Sequence, residues 1–311
     1  MKHKHILIMA VLVSVLFACS STVDTTQGES APIVFVSIVP QQYFINRIAG
    51  DLVDARVMVE TGADPHTYEP KPSQMAALSE ALVYFTVGIE FEGAWLARFA
   101  DANPDMAIVD TTEGIDKQPM LFEHSHEGEE DHIDEVDHDE DDDDHHDDEL
   151  DPHVWVSPAL VKIQVQHMYD TLVALLPQHE VVFAENLSTF MGEIENLEGE
   201  IEGVLAEIPS RKFIVFHPSW GYLAEQFNLI MIPIEVGGTE PGPAELAAII
   251  DEAKEEDIHV IFAQPEFSTK SAETIAREIN GEVILISPLA YDWLENMRNV
   301  ASVFAEALGS Q

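Results

Sequence analysis

The chain has 311 residues and carries 58 Asp and Glu against 14 Lys and Arg, a formal charge of -44. That balance argues against binding to nucleic acid phosphates and suits a surface that attracts cations, plain solubility or a salty habitat. Cys19 stands alone, so no intramolecular disulfide can form.

The first residues read as a targeting segment. Lys2 and Lys4 precede an apolar run, 6–17, that is too short to span a bilayer. The run ends in Leu16-Phe17-Ala18-Cys19, which resembles the lipobox of bacterial lipoproteins. The resemblance implies cleavage of a 1–18 signal peptide, lipidation of Cys19 and attachment to the outer side of a membrane. Residues 19–32 then form a polar tether.

Beyond the tether, short apolar runs alternate with helical patterns. Strands are predicted at 33–39, 55–60, 83–87 and 106–110, with helices at 40–49, 72–81 and 93–102. Residues 157–176 read as a helix that closes this half. The rhythm repeats with strands at 212–216, 230–235, 259–263 and 283–286, and helices at 220–227, 243–256, 269–279 and 292–308. Such alternation predicts parallel sheets covered by helices. The fold class is therefore α/β, with one lobe over 33–176 and a second over 209–311.

Two segments depart from the rhythm. Residues 177–208 have no internal proline and place Leu187, Phe190, Ile194, Leu197, Ile201, Val204, Leu205 and Ile208 at steps of three and four or their neighbours. That pattern predicts one amphipathic helix, a rigid strut of roughly 45–50 Å at 1.5 Å per residue. The alternative is two helices broken near Gly192 or Gly199; glycine costs only about 1 kcal/mol inside a helix. In 123–149, seventeen residues are Asp or Glu and six are His. Almost nothing there can enter a core, so a disordered loop on the first lobe is predicted, able to collect metal weakly or simply to stay solvated.

Three histidines sit beside prolines in short motifs: Asp64-Pro65-His66-Thr67-Tyr68, Asp151-Pro152-His153-Val154-Trp155 and Phe216-His217-Pro218-Ser219-Trp220. Neutral imidazole is the commonest ligand for zinc, and three protein ligands leave one coordination position open. His217 ends a strand, where ligands gather in open α/β sheets. Asp151, Glu69 and Glu235 are candidates to orient the imidazoles. Tyr68, Trp155, Trp220 and Tyr222 are candidates to line the site, or else core aromatics.

These three motifs resemble the ligand loops of the cluster A-I solute-binding proteins of ABC importers, which take up zinc and manganese. The resemblance runs from about Ile33 to the C-terminus. It implies a metal held between two α/β lobes joined by the long helix, an ABC permease with its ATPase as partner, a monomer, and no catalysis. Histidine at the third ligand position, His217, and the acidic histidine run resemble the zinc members; nitrogen donors likewise favour Zn2+ over manganese, though not over copper or nickel. The usual fourth ligand in that family is an aspartate before Pro-Leu, where this chain has Ser287-Pro288-Leu289. Water, Glu266 and a loop residue are the three alternatives for that position. Competing functions are a manganese or other metal carrier of the same family, a three-histidine zinc hydrolase with Glu266 as base, and an adhesin.

Overall fold

In the computed structural model, residues 30–120, 150–235 and 241–309 are described. Cys19, the signal segment and the 123–149 run lie outside the described residues. The chain from Ala31 onward packs as one unit.

Two four-stranded parallel sheets form the frame. The first comprises β1 (Ile33–Val36), β2 (Asp54–Val57), β3 (Ala81–Thr86) and β4 (Ala107–Asp110), in the order β2-β1-β3-β4. The second comprises β5 (Lys212–Val215), β6 (Ile230–Pro233), β7 (Val260–Ala263) and β8 (Glu282–Leu285), in the order β6-β5-β7-β8. Each sheet starts in its middle, runs to one edge and then crosses to the other. The topology thus reverses between β1 and β3, and again between β5 and β7, which opens a crevice at the carboxyl ends of those strands.

Helices α1 (Val39–Ala49), α2 (Pro72–Leu78), α3 (Glu90–Ala102) and α4 (Pro158–Leu175) belong to the first half. The second half carries α6 (Gly221–Gln226), α7 (Pro243–Glu255), α8 (Lys270–Glu278) and α9 (Trp293–Gly309). All eight predicted strands are present, most of them shorter than expected. Helix α3 begins at Glu90 and not at residue 93, a difference that matters for the site.

Between the halves, α5 (Glu180–Leu205) is one unbroken helix of 26 residues, about 39 Å long. It is shorter than predicted because Pro177–His179 is a separate 3-10 turn and Ile208 lies past its end. The stripe Phe183, Leu187, Phe190, Ile194, Leu197, Ile201 and Leu205 is buried, whereas Val204 is exposed. This face packs on α1 and α4 of the first half and α9 of the second. One apolar core therefore runs from the first sheet through α5 and α9 to one face of the second sheet, including Phe213, Val215 and Phe262. Their neighbours Ile214, Phe216, Ile261 and Ala263 point the other way into a separate core with α7 and α8, as the two-residue period of a strand requires.

Candidate metal centre

Each of the three histidines is placed by its own local structure. His66 lies in the turn between β2 and α2. Asp64 shapes that turn by accepting from the His66 backbone N–H at 2.8 Å and the Thr67 hydroxyl at 2.8 Å. His153 precedes a 3-10 turn, Val154–Val156, and α4, whose N-terminus is capped by Ser157. One oxygen of Asp151 accepts from both the backbone N–H of His153, at 2.9 Å, and its ring Nδ1, at 2.7 Å. His217 follows β5 at the reversal of the second sheet. Gln264, just past β7, pins it by donating to its carbonyl at 2.8 Å and to Ser219 Oγ at 2.7 Å.

The rings converge. His217 Nε2 is 3.2 Å from His66 Nε2 and 3.3 Å from His153 Nε2, and one ligand atom from each of the three lies within 4.8 Å of the others. Three nitrogens bound tetrahedrally at zinc's usual bond length would stand about 3.3 Å apart, so two of the three separations already suit the ion. On the far side of each ring, Nδ1 meets a carboxylate: Glu90 at 2.5 Å for His66, Asp151 at 2.7 Å for His153 and Glu235 at 2.6 Å for His217. A carboxylate there accepts a hydrogen bond from Nδ1–H, which holds the proton on Nδ1 and turns the Nε2 lone pair to the common centre.

Burial differs among the three pairs. His153 and His217 are 2 % and 6 % exposed, whereas His66 is half-buried and Glu90 faces solvent in part. Burial lowers the His66 pKa, but the hydrogen bond and charge of Glu90, with Asp64 and Glu235 behind it, raise it further than burial lowers it. Glu90 shows the reverse: burial raises its pKa and the bond to His66 brings it below the ordinary carboxylate value. For His217, burial dominates and the neighbouring His153 and His66 add repulsion, so its pKa is lowered despite Glu235.

The other predicted residues differ in what they touch. Trp155 stands 5.1 Å from the His153 ring and donates its indole N–H to Pro288 O at 2.9 Å. Phe267, absent from the sequence reading, covers His217 at 4.8 Å and His66 at 6.1 Å. Trp220 is fully buried against Phe304 and is a core aromatic. Tyr68 packs on Phe91 and donates to Gln74. Tyr222 accepts from Gln118 N–H at 3.0 Å and donates to Asp151 O at 2.8 Å, bracing the loop before His153. Glu69 is exposed, and Glu90 is the acid that serves His66. Glu266 does not join the three-histidine group among the described residues. Ser287 Oγ donates to Glu266 Oε1 at 2.6 Å, and Glu266 Oε2 is a buried oxygen with no hydrogen-bond partner among the described residues.

Two parallel α/β lobes on one long helix, with three imidazoles supplied by both lobes, define a solute-binding protein of the metal type. The family model described as zinc-uptake complex component A, periplasmic, matches residues 34–307, and the chain belongs to that family. Its members are solute-binding components of ABC importers, not enzymes. A crystal structure of ZnuA is 43 % identical, covers 89 % of this chain and 99 % of its own, and superposes with a TM-score of 0.79. A 138-173 deletion mutant of ZnuA with zinc bound is also 43 % identical, with coverage of 90 % and 99 % and a TM-score of 0.80. The high-affinity zinc uptake system protein ZnuA of Bacillus subtilis is 29 % identical over 260 residues, 82 % of this chain and 78 % of that protein.

Proposed function

We propose that this chain captures Zn2+ outside the cytoplasmic membrane through His66, His153 and His217 and delivers it to an ABC permease and its ATPase. The observation that carries the reading is the convergence of three Nε2 atoms, each ring backed at Nδ1 by its own carboxylate. Nitrogen donors favour zinc over manganese, and the zinc named in the relatives' descriptions supports the same choice. Water takes the fourth position; the absence of Glu266 from the three-histidine group among the described residues supports this over Glu266 itself. We place the lobes at 33–176 and 209–311 with 177–208 between them. Lipidation of Cys19 anchors the chain after removal of residues 1–18, with 19–32 as tether, and it acts as a monomer. The 123–149 run collects zinc weakly beside the main site. Pairing of Pro119 with Leu150 supports this, because it closes the base of that run one residue from Asp151.

Metal content and competitive zinc affinity of the chain without residues 1–19 test the reading, beside a His66→Ala/His153→Ala/His217→Ala variant and a deletion of 123–149. One tightly bound zinc is expected in the parent and in the deletion, and none in the triple variant. Tight binding that survives the triple substitution, or a preference for manganese, overturns it.

A further inference from the structure

Beneath the half-exposed His66–Glu90 pair lies a buried carboxylate that touches no imidazole. Glu92 is 3 % exposed and sits two residues beyond Glu90 in the first turn of α3. One oxygen accepts from Val87 N–H at 3.0 Å and from the hydroxyl of Ser37 at close range; the other accepts from Gly88 N–H at 2.8 Å. Ser37 follows β1 and is itself held to Tyr84 OH at 2.8 Å, so the grip is anchored in the sheet. Gly88 has φ of 89°, which L side chains rarely adopt, and a Cβ there would run into Lys117 Nζ. Lys117 in turn donates to Val87 O at 3.3 Å. The turn from β3 into α3 is thus fixed from both sides, and it delivers Glu90 to His66.

We propose that Glu92 is a positioning residue for the metal centre: by clamping the 87–89 turn it sets Glu90 against His66 and so aims the imidazole. The proposal rests on the reading of His66 as a zinc ligand. An amide could not replace the carboxylate, because three donors converge on two acceptor oxygens and glutamine offers only one. Burial raises the Glu92 pKa to about 7 against the pull of those donors. On a helix, residues two apart face different directions. Glu90 therefore looks outward to His66 while Glu92 looks inward to Ser37, and one rigid turn links them.

The test is a double-mutant cycle in zinc affinity with Glu92→Gln, Glu90→Gln and both together, and with Glu235→Gln as the contrasting background. Glu92→Gln is expected to weaken zinc about ten-fold, the scale of losses when a partner behind a metal-bound histidine is removed. In the Glu90→Gln background it should add almost nothing, whereas beside Glu235→Gln its cost should persist. The absorption spectrum of the Co2+-loaded protein should shift in Glu92→Gln, a change that a merely structural role would not produce. Ser37→Ala, which keeps the carboxylate and removes one donor, should act in the same direction and more weakly. Wild-type affinity in Glu92→Gln, or an equal loss in both backgrounds, overturns the proposal. Failure of the zinc reading itself shows separately, as an affinity that His66→Ala leaves unchanged.

Discussion

The three imidazoles are chemically alike, yet their settings make them unequal competitors for protons. Zinc requires all three neutral. His66 holds its proton to higher pH than an ordinary histidine because of Glu90, whereas buried His217 gives its proton up more readily. Affinity should therefore be full in mildly alkaline solution and decline as the pH is lowered, the loss setting in before the pH reaches about 6.5 because His66 protonates early. Zinc competition titrations from pH 8 to 5 check this. Glu90→Gln should start from a lower affinity and begin its decline at lower pH, and a flat profile in the parent contradicts the account. The histidines were legible because each lies in a local proline motif. Asp151 was legible because it is two residues from His153. Glu90 was not: it is 24 residues from His66 in sequence and was read as loop, since the helix start was put at Gly93. Glu69 misled because nearness in sequence does not fix direction: it is exposed, whereas Tyr68 beside it is partly buried.

Helix α5 shows what periodicity reads well. Its apolar stripe, the lack of an internal proline and the small cost of glycine predicted a continuous helix across Gly192 and Gly199, and α5 runs unbroken through both. What periodicity could not supply was the end at Leu205, where the apolar pattern continues while Val204 turns to solvent. A Cβ added at Gly192 or Gly199 would meet nothing within 4 Å. Gly199→Ala should therefore stabilise the protein by about 0.5–1 kcal/mol, read in denaturant unfolding, because alanine is the better helix former and loses less freedom on folding. A helix broken at Gly199 would show no such gain. The strands were legible for a simpler reason, being short apolar runs bounded by glycine, proline and acids.

At the scale of the whole molecule, the two sheets share one strand order and are tied together by more than α5. Trp293 donates to Trp155 O at 2.7 Å, and Trp155 donates to Pro288 O, so the second half is bonded directly to the loop that carries His153. Which halves meet, and through which side chains, is a long-range fact that no local pattern contains. The burial of Glu92 also has a consequence for the empty protein. Its pKa is raised from 4.5 to about 7, so the folded chain keeps a proton there that the unfolded chain releases. Its contribution is therefore largest in acid and is lost as pH rises from about 4.5 to 7, up to about 3 kcal/mol. His66 works in the same sense, and His217, whose pKa is lowered, works against both. The stability of the parent relative to Glu92→Gln should accordingly shrink as pH rises from 5 to 8; a constant difference in melting temperature would contradict it. Acid thus strips the cargo from the imidazoles and, by protonating Glu92, takes an acceptor from the clamp on the 87–89 turn, so release of the ion and loosening of the mount behind Glu90 fall in one pH range.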